Sequence, residues 1–310
     1  MNIYFAGGIY VEAKGVRFVV DPYKPVRGRV DFVLVTHGHS DHVSRHVLRQ
    51  FVVASEETFK ALAARLGALP PRRIATAPGK VLEIGDVQVA VLEAGHIIGS
   101  VMYLVEVGGV QILFTGDFNT VGSIATDAAD SIERPDILVM EATYGDSNYV
   151  FPNRAEIYHH LLETVEKYMG ERGVAISAYP LGKAQEVAKL LGHRASAHPE
   201  VAKYNKALGV ATGGGGDVVI VPSVKKAPSN YVKIEVSGWY IDKYIRQRAE
   251  SEGVLGIPLS DHSDFIELVN FVERTSPRLV YVAYGFVERF SRHLKRRGVR
   301  AYPIPTSTLF

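Results

Sequence analysis

The densest group of side chains able to do chemistry lies between residues 36 and 46. With His46, this segment holds four of the chain's eleven histidines, and it reads Thr36-His37-Gly38-His39-Ser40-Asp41-His42. Neutral imidazoles beside a carboxylate are a common ligand set for a borderline metal ion, with zinc as the default. Packing gives no reason for so many histidines in one turn, so we predict a metal site here. His46 is interpreted as a surface residue or as a residue that contacts the ligands without binding the metal.

Two further polar groups follow predicted strands and fit the same centre. Gly95-His96 closes one apolar run, and Thr115-Gly116-Asp117 closes the next. Either motif alone is an ordinary turn feature. Together with the first motif they add an imidazole and a carboxylate that can bridge two ions, which predicts a two-metal site. The predicted metal ligands are His37, His39, Asp41, His42, His96 and Asp117.

The secondary structure that must position these residues is predicted to differ between the first half of the chain and the rest. Up to about Gly145, short β-branched and aromatic runs closed by turn residues predict a strand-rich half. From there, helical spacings alternate with strands, which predicts a small α/β unit with parallel pairing. The final stretch returns to a strand, turn and helix pattern. Each ligand motif follows a predicted strand and therefore lies at a sheet edge.

Composition narrows the function classes. The 310 residues contain no cysteine, which excludes a disulfide framework, a thiolate nucleophile and Cys-type metal sites. No leader and no apolar run of membrane-spanning length is apparent, so we expect a cytoplasmic protein with no membrane partner. The net charge is only +2, yet residues 289–300 carry six basic side chains and no acid. That stripe suits a phosphate backbone or a solvated helix face.

The order HxHxDH, GH and TGD resembles the metallo-β-lactamase superfamily, and later motifs resemble its β-CASP nuclease branch. These are the segment Glu141 to Gly145, the SAYPLGKAQE segment ending at Glu186, and the PLSDHSD segment that contains His262. The closest likeness is to DNA ligase-associated exonucleases and to proteins like the archaeal messenger-RNA 3′-end processing factor. One departure is Tyr284-Gly285, where the RNA-processing endonucleases have a histidine before glycine.

The resemblance implies an α/β (α+β) fold, an αββα metallo-β-lactamase sandwich with an inserted α/β β-CASP cap. We expect residues 1–145 to form the first part of the sandwich, 146–255 the cap, and 256–310 the part that completes the sandwich. The active site is expected in the cleft between them. Tyr144, Tyr149, Phe151 and Tyr179, near the junction, are expected either to stack on bases or to be buried at the seam.

The resemblance also implies a role for each site residue. His37, His39 and His96 would bind the first metal, Asp41 and His42 the second, and Asp117 would bridge them. His262 would protonate the leaving group or lend a ligand, with Glu186 orienting its other nitrogen. The predicted catalytic residues are therefore Asp41, Asp117, His262 and Glu186. Tyr284 makes the second metal position weaker than the first, or leaves it to be completed by His262 or by substrate phosphate.

The predicted function is a zinc-dependent nuclease that acts on single-stranded ends of DNA or RNA, in DNA repair or RNA processing. Two Zn²⁺ per chain are expected, with Mn²⁺ or Mg²⁺ as alternatives. Two other functions stay open: a small-molecule metallohydrolase acting on a lactone or thioester, and a catalytically silent nucleic-acid-binding protein. The residues leave open the choice of DNA or RNA, exonuclease or endonuclease action, and the oligomeric state.

Overall fold

The computed structural model of the chain describes residues 1–170 and 172–307. In chain order the strands are β1 (Asn2–Phe5), β2 (Ile9–Ala13), β3 (Val16–Val20), β4 (Phe32–Leu34), β5 (Phe51–Ser55), β6 (Arg72–Thr76), β7 (Val81–Ile84), β8 (Val87–Glu93), β9 (Val101–Val107), β10 (Val110–Phe114), β11 (Ile137–Ala142), β12 (Val174–Ser177), β13 (Ala195–Ala197), β14 (Val218–Val221), β15 (Val232–Val236), β16 (Val254–Ile257), β17 (Leu279–Gly285) and β18 (Ala301–Pro303).

The α-helices are α1 (Glu56–Leu66), α2 (Arg154–Tyr168), α3 (Lys183–Leu191), α4 (Pro199–Leu208), α5 (Lys243–Ser251), α6 (Phe265–Thr275) and α7 (Val287–Arg296). Short 3-10 helices span Arg45–Arg49, Gly192–Arg194, Val224–Lys226 and Gly238–Ile241. Local sequence explains their boundaries. Ser55 caps α1 by accepting a hydrogen bond from the Thr58 amide, and Gly67 ends the helix in the left-handed conformation.

Two mixed sheets pack face to face and form the main core. The first has the strand order β1-β2-β3-β4-β5-β6, and the second has the order β18-β17-β11-β10-β9-β8-β7. Between them lie Phe18 and Phe32 from the first sheet and Phe114 from the second, all fully buried. The alternating apolar side chains of each strand supply this interface.

Helices cover the outer face of each sheet. Phe59 and Leu62 of α1 pack on β4 and β5, while Leu268 and Phe271 of α6 pack with Phe290 of α7 on the second sheet. The layers are therefore helix, sheet, sheet, helix, which confirms the predicted αββα sandwich. Asp264 begins α6 with a capping box that also involves Glu267.

A third sheet has the order β13-β14-β12-β15-β16, and all of its pairings are parallel. Helices α2, α3 and α4 bury their apolar faces against it. The sheet ends with β16 at Ile257, two residues beyond the boundary expected at residue 255. Leu181 and Tyr204 from this part pack against Ala61 of α1. Residues 171 and 308–310 of the expected segments lie outside the described residues.

Among the residues that the structure describes, no helix is long and apolar enough to cross a membrane.

Candidate metal centre

The ends of three strands bring the predicted ligands to one edge of the sandwich. The loop after β4 carries His37, His39 and His42, the turn after β8 carries His96, and the turn after β10 carries Asp117. All five side chains are buried. Gly116 has a φ of 54°, and a Cβ at this position would lie 2.4 Å from the Thr36 hydroxyl. Glycine therefore permits the close approach of two ligand loops.

Four of these groups converge with spacings that fit one divalent ion. His39 Nδ1 lies 3.3 Å from His96 Nε2, and Asp117 Oδ2 lies 3.5 Å from His37 Nε2 and 3.7 Å from His96 Nε2. Ligands about 2.0 to 2.1 Å from a tetrahedral zinc ion are separated by about 3.3 Å. His37 Nε2 is buried and has no hydrogen-bond partner among the described residues. The donor set therefore fits a metal ion.

In His39 and His96, the hydrogen bond made by the outward ring nitrogen shows which nitrogen carries the proton and which carries the lone pair. His39 Nε2–H donates to the Leu181 carbonyl at 2.7 Å, and His96 Nδ1–H donates to the Asp261 carbonyl at 2.9 Å. His42 Nδ1 lies 2.9 Å from the Asp21 carboxylate. Because a carbonyl oxygen can only accept, the facing nitrogens of His39 and His96 both present lone pairs. A cation between them removes this repulsion, and such outer partners are typical of metal-binding histidines.

Burial keeps the first group of histidines in the form that binds a metal. Desolvation lowers the pKa of His96 to about 3 and also lowers the pKa values of His37 and His39. Burial alone would raise the pKa of Asp117, but the neighbouring histidines, His42 first, lower it well below its usual range. Neutral imidazoles and an ionised carboxylate therefore face one another.

The second oxygen of Asp117 points to a different histidine. Its Oδ1 lies 3.2 Å from His42 Nε2, so the two carboxylate oxygens serve two groups of nitrogens. Asp41 is exposed at the cleft and does not join the clusters of close ligand atoms found among the described residues. Tyr284 packs its ring 4.7 Å from that of His42, and burial raises the pKa of its hydroxyl well above 10.0.

His262 lies in the loop before α6 and lines the same cleft. Its Nδ1 is 2.9 Å from Oε1 and 3.0 Å from Oε2 of Glu141, a residue of β11 opposite Tyr284. The pairing of β11 with β17 has a register shift between Met140 and Glu141, an irregularity of the kind that re-aims a side chain. Burial alone would lower the pKa of His262, but the charge of Glu141 outweighs it and raises the pKa to about 9.

The expected pairing of Glu186 with His262 is wrong. The Glu186 carboxylate accepts hydrogen bonds from Arg154 and Tyr158 of α2, and Arg154 also donates to the Ser260 carbonyl. Glu186 is buried, and its partners hold α2 and α3 together below the loop that carries His262. It therefore supports that loop from a distance, and Glu141 is the carboxylate that orients the imidazole.

Sequence reasoning missed two carboxylates that organise the centre. Asp21 is fully buried with a φ of 50°, and it accepts from the Thr36 amide and hydroxyl at 2.8 and 2.6 Å. These hydrogen bonds fix the loop after β4 that carries His37, His39 and His42. Asp261 forms an ion pair with Lys183; burial alone would raise its pKa, but Lys183 lowers it. In the sequence, Asp21 is marked only by an Asp-Pro turn signal, and Asp261 only by its position beside His262.

An open cleft of about 610 Å³ runs along this centre. One wall is formed by the ligand loops and the end of β17, and the other by the third sheet. The residues that line it include His39, Asp41, His42, Asp117, Tyr179, Lys183, Trp239, His262 and Tyr284. A second cavity of about 830 Å³, between α2 and α5, contains none of the predicted ligands.

Comparison with known proteins identifies similar chains. Residues 12–194 match the family model described as "Beta-lactamase superfamily domain". A "Probable DNA ligase" of Opitutus terrae is 27% identical over 98% of this chain. "RNase aCSPSF2" of Saccharolobus solfataricus is 27% identical over 57% of it, and "Endoribonuclease YSH1" of Yarrowia lipolytica is 32% identical over 40%.

These matches cover only part of each relative. They span 31% of the ligase, 41% of the archaeal RNase and 15% of the yeast endoribonuclease. A crystal structure of a protein of unknown function from Enterococcus faecalis V583 superposes with a TM-score of 0.65 at 14% identity, covering 90% of this chain and 92% of that one. This likeness concerns the fold alone.

Proposed function

We propose, from the premise that this chain belongs to the β-lactamase superfamily, that it is a metal-dependent nuclease that hydrolyses phosphodiester bonds of DNA or RNA. The observation that carries the proposal is the convergence of inward-facing imidazole nitrogens on Asp117 beside an open cleft. The relatives named as nucleases support the reaction class. Residues of the third sheet and its loops, such as Ser177, Lys183 and Trp239, form a second wall of this cleft, and a second wall is more than a small lactone or thioester needs.

The proposed metal is zinc, with two ions per chain. His37, His39, His96 and Asp117 would hold the first ion. His42 and Asp41 would hold the second, with Asp117 shared between the two positions. The 3.2 Å approach of Asp117 Oδ1 to His42 supports this division. The second position is weaker, because the phenol of Tyr284 is a poor ligand at neutral pH. Mn²⁺ or Mg²⁺ are the alternatives to zinc.

When bound, such ions supply Lewis-acid activation of a phosphoryl oxygen and of water. His262 donates the proton that the leaving oxygen needs, because Glu141 keeps the imidazolium charged at neutral pH. Asp261 accepts from Lys183, and its backbone carbonyl fixes the ring of His96. The chain's own groups therefore hold the ligands, orient them and carry one proton.

We also propose the domain boundaries, the biological process and the cellular compartment. Residues 1–145 and 256–310 would form one hydrolase domain, with residues 146–255 as a cap. Packing of Leu181, before α3, and of Tyr204 in α4 against Ala61 of α1 supports such a cap. We propose action on single-stranded ends, in DNA repair or RNA processing, in the cytoplasm.

A digestion time course tests the proposed function. Purified protein is incubated with end-labelled single-stranded and duplex DNA and RNA, after chelation and after addition of Zn²⁺, Mn²⁺ or Mg²⁺. We expect metal-dependent release of nucleotides that disappears in His39→Ala, together with a lower zinc content. His46→Ala is the matched control, since His46 is an exposed histidine of the same segment.

The outcomes separate the alternatives. Labelled DNA and RNA that stay intact with every ion, in protein with measured bound metal, would contradict the nuclease proposal. Turnover of a thioester or lactone without affinity for oligonucleotides would support a small-molecule hydrolase instead. Binding of oligonucleotides by protein that takes up no zinc would indicate a catalytically silent member.

A further inference from the structure

Two large aromatic side chains remain exposed inside the cleft. Tyr179 is 46% exposed and Trp239 is 37% exposed, and both line the cleft of the metal centre. Apolar rings of this size are ordinarily buried, so their exposure in a cleft suggests a ligand. The other aromatic candidates, Tyr144, Tyr149 and Phe151, do not line this cleft, and Tyr144 is only 3% exposed.

The two rings flank the reactive groups from different sides. The ring of Tyr179 lies 4.8 Å from that of His39, in an edge-on arrangement. Trp239 lies 4.8 Å from the ring of Tyr144, which is itself 6.0 Å from the ring of His262. One exposed ring therefore adjoins a proposed metal ligand, and the other is connected to His262 through the ring of Tyr144.

Trp239 is held rigidly by rings that do not reach the cleft. Tyr149 lies 5.2 Å from it, Phe286 lies 6.3 Å away, and Tyr144 packs on Phe151 behind it. The guanidinium of Arg289 lies 5.6 Å from the Phe286 ring. An indole backed in this way loses little freedom when a flat group stacks on it.

We propose that Tyr179 and Trp239 stack on nucleobases on either side of the scissile phosphate, and that this makes the substrate single-stranded. The inference rests on the proposed function, because the phosphate must lie at the metal centre. Aromatic rings stack on unpaired bases of any sequence, whereas paired bases in a duplex do not expose their faces. The partner is thus a single strand with little sequence preference.

Trp239 is the only tryptophan of the chain, so its fluorescence reports stacking directly. A single-stranded oligonucleotide with hydrolysis-resistant phosphorothioate linkages is titrated into the wild-type protein, so that binding is measured without cleavage. We expect quenching that saturates with binding, and little quenching by a duplex of the same sequence. A strand whose bases are removed but whose phosphates remain should bind weakly and quench little.

Variants test each ring separately. Tyr179→Ala and Trp239→Ala should each weaken single-strand binding by about 5- to 100-fold, measured by anisotropy of labelled oligonucleotide. Tyr179→Phe should restore most of the affinity. Tyr244→Ala is the matched control, because Tyr244 is 70% exposed but does not line the cleft. Tyr179 contacts fewer aromatic rings than Trp239 does. Tyr179→Ala therefore still tests the inference if Trp239→Ala does not fold.

The results distinguish this inference from the proposed function. Quenching with weakened binding in both variants, but without cleavage by the wild type, would support stacking and refute the nuclease. Cleavage by the wild type without quenching, or with affinities in Tyr179→Ala and Trp239→Ala equal to that of Tyr244→Ala, would overturn the inference alone. Equal affinity for single strands and duplexes would also overturn it.

Discussion

The substitution Glu141→Gln tests whether the charge of Glu141 raises the pKa of His262. Glu141 holds both carboxylate oxygens within 2.9 to 3.0 Å of His262 Nδ1. Burial lowers the pKa of this imidazole and Glu141 is the largest influence that raises it, to about 9 from an ordinary 6.5. Glutamine keeps the shape and removes the charge, so the pKa of His262 falls toward its ordinary value.

The magnitude follows from the two pKa values. At pH 8, a group with a pKa of about 9 is about 90% protonated, and one with a pKa of about 6.5 is about 3% protonated. A full return to the ordinary value therefore lowers the rate of a step that needs imidazolium by up to about 30-fold at this pH. Near pH 5.5 both proteins carry the proton, and their rates converge.

Stability should change in the same direction. The folded pKa of His262 lies above the unfolded one, so the Glu141 interaction stabilises the protein fully below about pH 6.5 and loses this contribution as the pH rises through about 9. The shift corresponds to a contribution on the order of 3 kcal/mol in metal-free protein. Denaturant unfolding of wild type and Glu141→Gln should therefore differ most at low pH.

The assay is single-turnover cleavage of an end-labelled oligonucleotide from about pH 5.5 to about 10. Glu163→Gln is the matched control, because Glu163 also pairs with a histidine, His159, at 3.1 Å but on the exposed surface. An alkaline limb in folded Glu141→Gln at the same pH as in wild type would refute the role of Glu141. A shift in the control as well would show that the effect is not specific to this pair.

Three further predictions follow from the same contacts. A chelator should lower the melting temperature of wild type but not of His39→Ala, because a cation that binds the folded ligand set stabilises it; equal shifts in calorimetry would contradict a metal at this centre. Arg154→Met leaves the buried carboxylate of Glu186 without its cation and should cost about 3 to 5 kcal/mol of unfolding free energy. Denaturant titration checks this, and a loss unchanged when Glu186→Gln is added would argue against the pair. Tyr284→His should raise zinc occupancy at limiting metal, since a neutral imidazole replaces a buried phenol; unchanged metal content by mass spectrometry would show that Tyr284 does not limit the second position.

The layered fold was predictable because its signals are local. Short β-branched runs and turn residues predicted the strand-rich half, and Ser55 with its following glutamates is the local start signal of α1. Helix α4 has a weaker local signal, because its apolar face is short and is completed by packing against α1 and the third sheet.

The convergence of the candidate ligands was predictable for a different reason. His37, His39 and His42 share one turn, and His96 and Asp117 each end a strand, so strand order alone brings them together. The partners of those ligands depend on contacts distant in sequence. Glu141 reaches His262 across 121 residues, and nothing in either local motif distinguishes Glu141 from Glu186 as its partner.

Exposure was the least predictable property. The local sequence does not distinguish Tyr144 from Tyr179, yet Tyr144 is buried among aromatic rings and Tyr179 is exposed in the cleft. Trp239 gave no signal, because its position depends on the 3-10 turn at Gly238–Ile241 and on the rings behind it. Three-dimensional packing, which residue type does not encode, decides such cases.

The outer hydrogen bonds of the histidines also make the centre depend on segments that lie far apart in the chain. His39 is aimed by a carbonyl 142 residues away in sequence, and His96 by one 165 residues away. An N-terminal fragment that ends before Leu181 contains every predicted ligand but neither of these acceptors. The aim of both imidazole rings therefore depends on packing between the N-terminal motifs and the segments around Leu181 and Asp261.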